Sequence, residues 1–188
     1  MRKYRCLKQN RYDFEEFSLI PVREEDIQII RKWRNEQVKI LRQSHIITKE
    51  EQENYFEKNI WNQFNLENPK QLLFSYFRGE NLIGYGGLVH FNWLDNRAEI
   101  SFLLDTQFIK NTKIHDFLFE KYLILIQKVG FEDLKLNRLH AEIFDNRPHH
   151  IEILEKQGFI FEGRLRNHIY VEGKYIDSLI HGKLKTEF

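Results

Sequence analysis

An α/β (α+β) fold, built on one mixed but mostly antiparallel sheet with helices on its faces, is what this sequence predicts. Apolar runs of strand length and amphipathic runs of helical period succeed one another along all 188 residues. Gly79, Gly158, Gly173 and Pro148 fall at the boundaries of those runs, whereas Gly84, Gly86 and Gly87 lie inside one of them. Hydrophobic residues make up 41% and aromatics 14%, enough to bury a core without disulfides or metal. One domain spanning residues 1–188 is expected, since no low-complexity tract, repeat or linker interrupts the chain.

Phe17–Val22 reads as a first strand. Glu24–Arg34 follows as a helix, with Ile27, Ile30 and Trp33 on one side and acidic residues at the positive end of the helix dipole. Thr48-Lys-Glu-Glu51 has the form of a capping box and opens a second helix that carries Tyr55, Phe56, Ile60 and Phe64 on one side. Leu72–Phe77 and Leu82–Phe91 form a hairpin about Arg78-Gly-Glu-Asn81, and a turn near Asp95-Asn96 leads to a strand at Ala98–Asp105. Thr112–Val129 is a long helix, Arg138–Phe144 a strand, and Pro148–Gln157 a short helix with proline near its start and Gly158 at its cap. Two last strands, Phe159–Tyr170 and Lys174–Lys183, flank the turn Glu172-Gly173.

Twenty-nine Lys and Arg against 28 Asp and Glu leave a net charge of +1, which argues against nucleic acid as a partner. Cys6 is the single cysteine, so an internal disulfide and a multi-cysteine metal site are excluded. The opening residues lack a signal-peptide core and no apolar run approaches a membrane span, so a soluble cytoplasmic protein without membrane contact is expected.

Four fragments in register resemble the GNAT superfamily of acyl-CoA N-acyltransferases: Trp33-Arg-Asn35, Ala98-Glu-Ile-Ser101, Leu136-Asn-Arg-Leu139, and Leu154-Glu-Lys-Gln-Gly-Phe159 followed by Glu162-Gly163. The resemblance runs from about Leu19 to Leu184. It is nearest to the branch of ribosomal-protein-type and nucleotide-linked amino-sugar N-acetyltransferases, the second more so through Glu162-Gly-Arg-Leu165 and Tyr175-Ile-Asp177. It implies a GNAT-like sheet whose fourth and fifth strands, parallel to each other, splay apart to receive acetyl-CoA as cosubstrate. The opening would then lie between Phe102–Leu104 and Ala141–Phe144, with a backbone N–H near Leu103 polarising the thioester carbonyl. The pyrophosphate would meet the start of the 112–129 helix, near Lys110, Asn111, Thr112 and Lys113.

The chain departs from the family pattern at three places. Phe108–His115 contains no glycine where relatives carry a glycine-rich phosphate turn, although Asn111 tolerates a left-handed backbone better than most residues. Arg147 occupies the usual asparagine position, with Asn146 one place off. Leu154 stands where many relatives have a proton-donating tyrosine, while His150, four residues earlier, falls where ribosomal-protein-type members use serine. With an ordinary pKa of about 6.5, His150 is the candidate for protonating the thiolate or relaying a proton from the amine.

Glu99 and Glu142, on the two central strands, are candidate bases acting through water. Arg34, Asn35, His45 and His168 fall where relatives bind the acceptor. His140, His149 and His150 lack metal-ligand spacing, so no metal is expected. The leading expectation is an N-acetyltransferase acting by direct attack of a small-molecule amine, that of a nucleotide-linked amino sugar, as a monomer or homodimer. The alternatives are a protein N-terminal acetyltransferase and a non-catalytic GNAT-fold binding protein that no longer takes coenzyme A.

Overall fold

A computed structural model describes residues 2–38, 41 and 43–188 and places eight strands in one sheet. In chain order they are β1 (Tyr12–Phe14), β2 (Phe17–Pro21), β3 (Leu72–Arg78), β4 (Asn81–Asn92), β5 (Arg97–Leu104), β6 (Arg138–Phe144), β7 (Ile160–Val171) and β8 (Lys174–Leu184). Four α-helices accompany them: α1 (Ile27–Glu36), α2 (Lys49–Tyr55), α3 (Thr112–Gln127) and α4 (Pro148–Lys156). Across the sheet the order is β1-β2-β3-β4-β5-β6-β8-β7, with β5 and β6 the parallel pair. No helix among the described residues is long and apolar enough to cross a membrane.

Local signals explain most boundaries. The capping box closes as expected, with the Glu51 N–H donating to Thr48 Oγ1 at 3.2 Å and the Thr48 N–H to Glu51 Oε2 at 2.7 Å. Beyond Tyr55 the chain coils on as a π-turn and a 3-10 turn to Asn65, burying Phe56, Ile60 and Phe64. Tyr55 departs from that face and stands 43% exposed, because the change of pitch rotates it off the core. Strand β1 is an addition to the predicted order, since its three residues are too few for a readable period and are held by pairing with β2. Asp26 also departs from a purely dipole-facing role: it is buried, with Arg23 Nη2 at 2.6 Å and the Ser75 hydroxyl donating to it. Helix α3 ends in a π-turn at Lys128–Asp133, whose Asp133 carboxylate accepts the N–H groups of Lys8 and Gln9 and the Tyr12 hydroxyl.

The loop between β5 and α3 does without glycine by avoiding left-handed backbone. Asp105 caps a 3-10 turn at Thr106–Phe108, accepting the Gln107 N–H at 3.0 Å. Asn111 is extended (φ −105°) and uses its side chain to accept the Ile114 N–H, a capping role in place of the left-handed one its type allows.

The glycines of β4 are sites of close backbone approach. A Cβ on Gly86 or Gly87 would overlap the carbonyl oxygens of Ser101 and Leu72, so β4 is gripped between β3 and β5 at contacts only glycine permits. Gly87→Ala should destabilise the protein by about 3 kcal/mol, the upper part of the range for forced overpacking, in urea unfolding. Gly79→Asn meets open space at φ +57°, which asparagine tolerates, and should cost under about 1 kcal/mol.

Candidate active site

The centre of the sheet holds a gap. The parallel ladder of β5 and β6 consists of Arg97↔Arg138, Ala98↔Leu139 and Glu99↔His140, and ends there. Strand β5 stays paired with β4 up to Leu104, and β6 with β8 up to Phe144, so the two strands separate while each remains anchored on its outer side. The Asp105 N–H bonds the Ile83 carbonyl in the same antiparallel register. By alternation Leu103 then bonds toward β4, and Phe102 and Leu104 turn their backbone groups toward the gap. The N–H expected near Leu103 is therefore that of Phe102 or Leu104, because Leu103 spends its own on Tyr85. On this side the Leu104 carbonyl already accepts Gln37 Nε2 at 2.9 Å.

Two cavities open on the gap, one of about 860 Å³ on the α1–α2 side and one of about 230 Å³ by the start of α3. Phe102, Arg147 and His150 line both. Leu103, Leu104, Thr112 and Asn146 line the smaller one, while Lys110, Asn111 and Lys113 stand exposed at the neighbouring helix start. Arg147 lies over the Phe144 ring at 5.1 Å, and burial lowers its pKa. Leu154 is wholly buried and faces the core, so the position where relatives carry tyrosine offers nothing to the gap.

His150 sits in the first turn of α4, behind Pro148. Its Nε2 is 3.1 Å from Nε2 of His115 on α3, with the two rings parallel within 11° and centroids 4.5 Å apart. Phe119 packs on His150 at 5.1 Å. Burial, reinforced by His115, Arg147 and His149, pushes the His150 pKa down to about 3, and burial likewise lowers that of His115. The ring is neutral at physiological pH, so the imidazolium suggested by its ordinary pKa is not the acting form.

The carboxylates come with histidines. Glu99 lies 2.9 Å from His90 Nδ1 and 3.8 Å from His140 Nε2. Glu142 lies 3.6 Å from Nε2 of His168, an exposed residue of β7. Both outer histidines sit at irregularities of their strands. His90 has φ +50° where the β4–β5 register shifts, and Asn167, beside His168, has φ +50° within the shift of the β7–β8 register. Such irregularities re-aim side chains. The contacts of His90 with Glu99 and of His115 with His150 carry no sequence signal, since each joins two different elements.

The remaining candidates divide. Arg34 lines the large cavity, donates to the Tyr85 hydroxyl at 3.0 Å and keeps a buried Nε without a hydrogen bond. His45 lines it too, with Nε2 3.3 Å from Glu51. Asn35 is spent on structure, donating to the Ile47 carbonyl at 2.8 Å and accepting its N–H at 2.9 Å. Trp33 is core. Arg164 bridges Asp145 and Asp177 at 2.8 and 2.7 Å, which fastens the β7–β8 hairpin to the end of β6. Among the described residues no group of three His, Cys, Asp or Glu has the geometry to hold a metal.

The sequence profile of the acetyltransferase (GNAT) domain matches residues 19–180. The fold is similar to that of spermidine N-acetyltransferase from Vibrio cholerae, solved in complex with CoA and spermine, at TM-score 0.76 and 19% identity over 92% of this chain and 97% of that one. A mutant of the Vibrio cholerae enzyme gives TM-score 0.74 and 20% identity, over 91% and 95% of the two chains. A glycine-gripped β4, a parallel strand pair that parts at the sheet centre, and a profile match over most of the chain converge on one assignment: this chain belongs to the GNAT acetyltransferase family.

Proposed function

We propose that the protein transfers the acetyl group of acetyl-CoA to an amine of a small molecule that carries both an anionic and a cationic group, such as a nucleotide-linked amino sugar. Enzymes of the family use acetyl-CoA, which supplies the activated acetyl group. The residues fit it: Phe102 and Leu104 turn backbone N–H groups into the gap, and the start of α3 offers Thr112 and Lys113 N–H groups beside Lys110. The charge of the large cavity carries the acceptor reading. Glu51, Glu99 and Glu142 are balanced there by Arg34, Lys70 and Arg147, with His45, His90 and His150 between them. A polyamine, the substrate class named for the Vibrio cholerae enzyme, would be favoured by an excess of carboxylates.

In this reading Glu99 and Glu142 draw the proton from the acceptor ammonium through water, and Arg34, with its uncommitted Nε, binds the anionic part. A backbone N–H at Phe102 or Leu104 stabilises the developing oxyanion. His150, neutral and placed where the two cavities meet, handles the proton at the reacting centre.

Acetyl-CoA at 100 times its dissociation constant should raise unfolding stability by about 2.7 kcal/mol, and thiol release should then be fastest with a nucleotide-linked amino sugar. Absence of any stabilisation or heat of binding would overturn the transferase reading, whereas faster turnover of polyamines or peptide N-termini would overturn only the acceptor class. His150→Ala should lower kcat by about 10²–10⁴ while acetyl-CoA affinity changes little. Wild-type turnover in that variant from pH 6 to 9 would pass the role to a carboxylate or water.

Stability should also respond to pH in a direction these rings dictate. Below about pH 6.5 the unfolded histidines take up protons, while folded His150 stays neutral down to about 3. The unfolded state then binds more protons, so stability is full above about pH 6.5 and falls on acidification toward 3, by at most about 1.4 kcal/mol per pH unit for each ring. Comparing thermal unfolding at several pH values, His150→Phe should show a shallower loss than wild type.

A further inference from the structure

We propose that Asp116, His115 and His150 form a carboxylate–imidazole–imidazole chain that holds His150 in one tautomer and carries a proton from the attacking amine outward to α3. This deepens the acetyl-transfer reading and rests on it. The geometry is that of a relay. His115 Nδ1 lies 3.4 Å from Asp116 Oδ1, and its Nε2 lies 3.1 Å from His150 Nε2. Two bare ring nitrogens do not bond, so one Nε2 carries hydrogen and the other accepts it. The Asp116 carboxylate, which only accepts, selects the Nδ1–H form of His115. His115 Nε2 is then the acceptor, His150 Nε2 the donor, and His150 Nδ1 is left as a lone pair. That is opposite to a ring prepared to donate to the leaving sulfur.

The surroundings favour passing a proton over storing one. Phe102 from β5 and Phe119 from α3 enclose the two rings. The charged and titratable groups facing them are Asp116 on α3, His149 on α4, 3.6 Å from Asp116 Oδ2, and Arg147 before α4. Burial opposes a standing positive charge on His150, and Arg147 and His149 add to that. A concerted shift charges neither ring. As the C–N bond forms, the amine proton goes to His150 Nδ1, the His150 Nε2 proton to His115 Nε2, and the His115 Nδ1 proton to Asp116 and then to solvent. The electron pair of the C–S bond leaves with sulfur, and that thiolate is protonated by solvent. His115 and Asp116 act through His150 and are positioning residues.

The test reads tautomers directly, without acceptor or cosubstrate, by long-range ¹H–¹⁵N spectra of the full chain labelled with ¹⁵N-histidine. Near neutral pH the expected pair is Nδ1–H on His115 and Nε2–H on His150, with signals assigned by their loss in His115→Phe and His150→Phe. Nδ1–H on His150, or Nε2–H on His115, would overturn the chain whatever the fate of the acetyl-transfer reading. Asp116→Asn, a change at a half-buried position that keeps the side chain's size, should mix the His115 tautomers and lower kcat by about tenfold at unchanged acetyl-CoA KM. It should also move the pH dependence of kcat, which a merely structural role would leave in place. An Asp116→Asn protein with the wild-type tautomer of His115 and wild-type kcat would overturn the proposal too.

Discussion

Two central strands that run parallel for three residue pairs and then part are held open from outside, and the rest of the structure follows from that constraint. Strand β5 cannot swing toward β6 because β4 holds it up to Leu104, at distances that the β4 glycines make possible. Strand β6 is held by β8 up to Phe144. Phe119 and Tyr122 pack on Phe102 with ring centroids 4.7 and 4.6 Å away, and the Tyr122 hydroxyl donates to the Ser101 carbonyl at 2.6 Å. The opening is thus a stable feature of pairing and packing, with backbone polar groups directed into it.

The side chains around the gap come from elements that share little sequence proximity. Each carboxylate is matched by an imidazole that a strand irregularity delivers: His90 to Glu99, and His168, from the β7–β8 hairpin, to Glu142. A positive φ on a non-glycine residue costs free energy, and its appearance at the rim of the site is a common association of strain with function. On the other wall His115 and His150 meet at the starts of α3 and α4, where aromatic enclosure keeps both rings neutral. In the proposed reaction the carboxylates draw a proton from the acceptor through water, and the imidazoles hand one on.

The glycine-free loop before α3 departs from the glycine-rich turn of the family pattern, and its backbone is built by capping side chains. Relatives use glycine to bring backbone amides close to phosphate. Here Asp105 and Asn111 cap successive turns, and the helix start is built without left-handed backbone. Its N–H groups and flanking lysines remain at the surface. The substitution of Leu for Tyr at 154 has a similar logic, since a wholly buried leucine strengthens the core while His150 occupies the place where the cavities join.

Local chemistry made much of the fold legible in the sequence. Thr48 and Glu51 close one helix start, Pro148 and Gly158 bound another helix, and Arg138–Phe144 is a strand over the span its residues indicate. These signals act within a few residues, so sequence order alone carries them. The family fragments likewise led to the parallel strand pair, and the register before Leu154 singled out His150 as a candidate. What only the tertiary structure decided involves groups far apart in the chain: β1 held by β2, Tyr55 turned from core to cavity, Asn35 committed to Ile47, and the contact of His115 with His150. The protonation of His150 belongs with these, because burial by α3 and β5 sets it, and desolvation is a property of the surrounding packing with no trace in the residue's own neighbours along the chain.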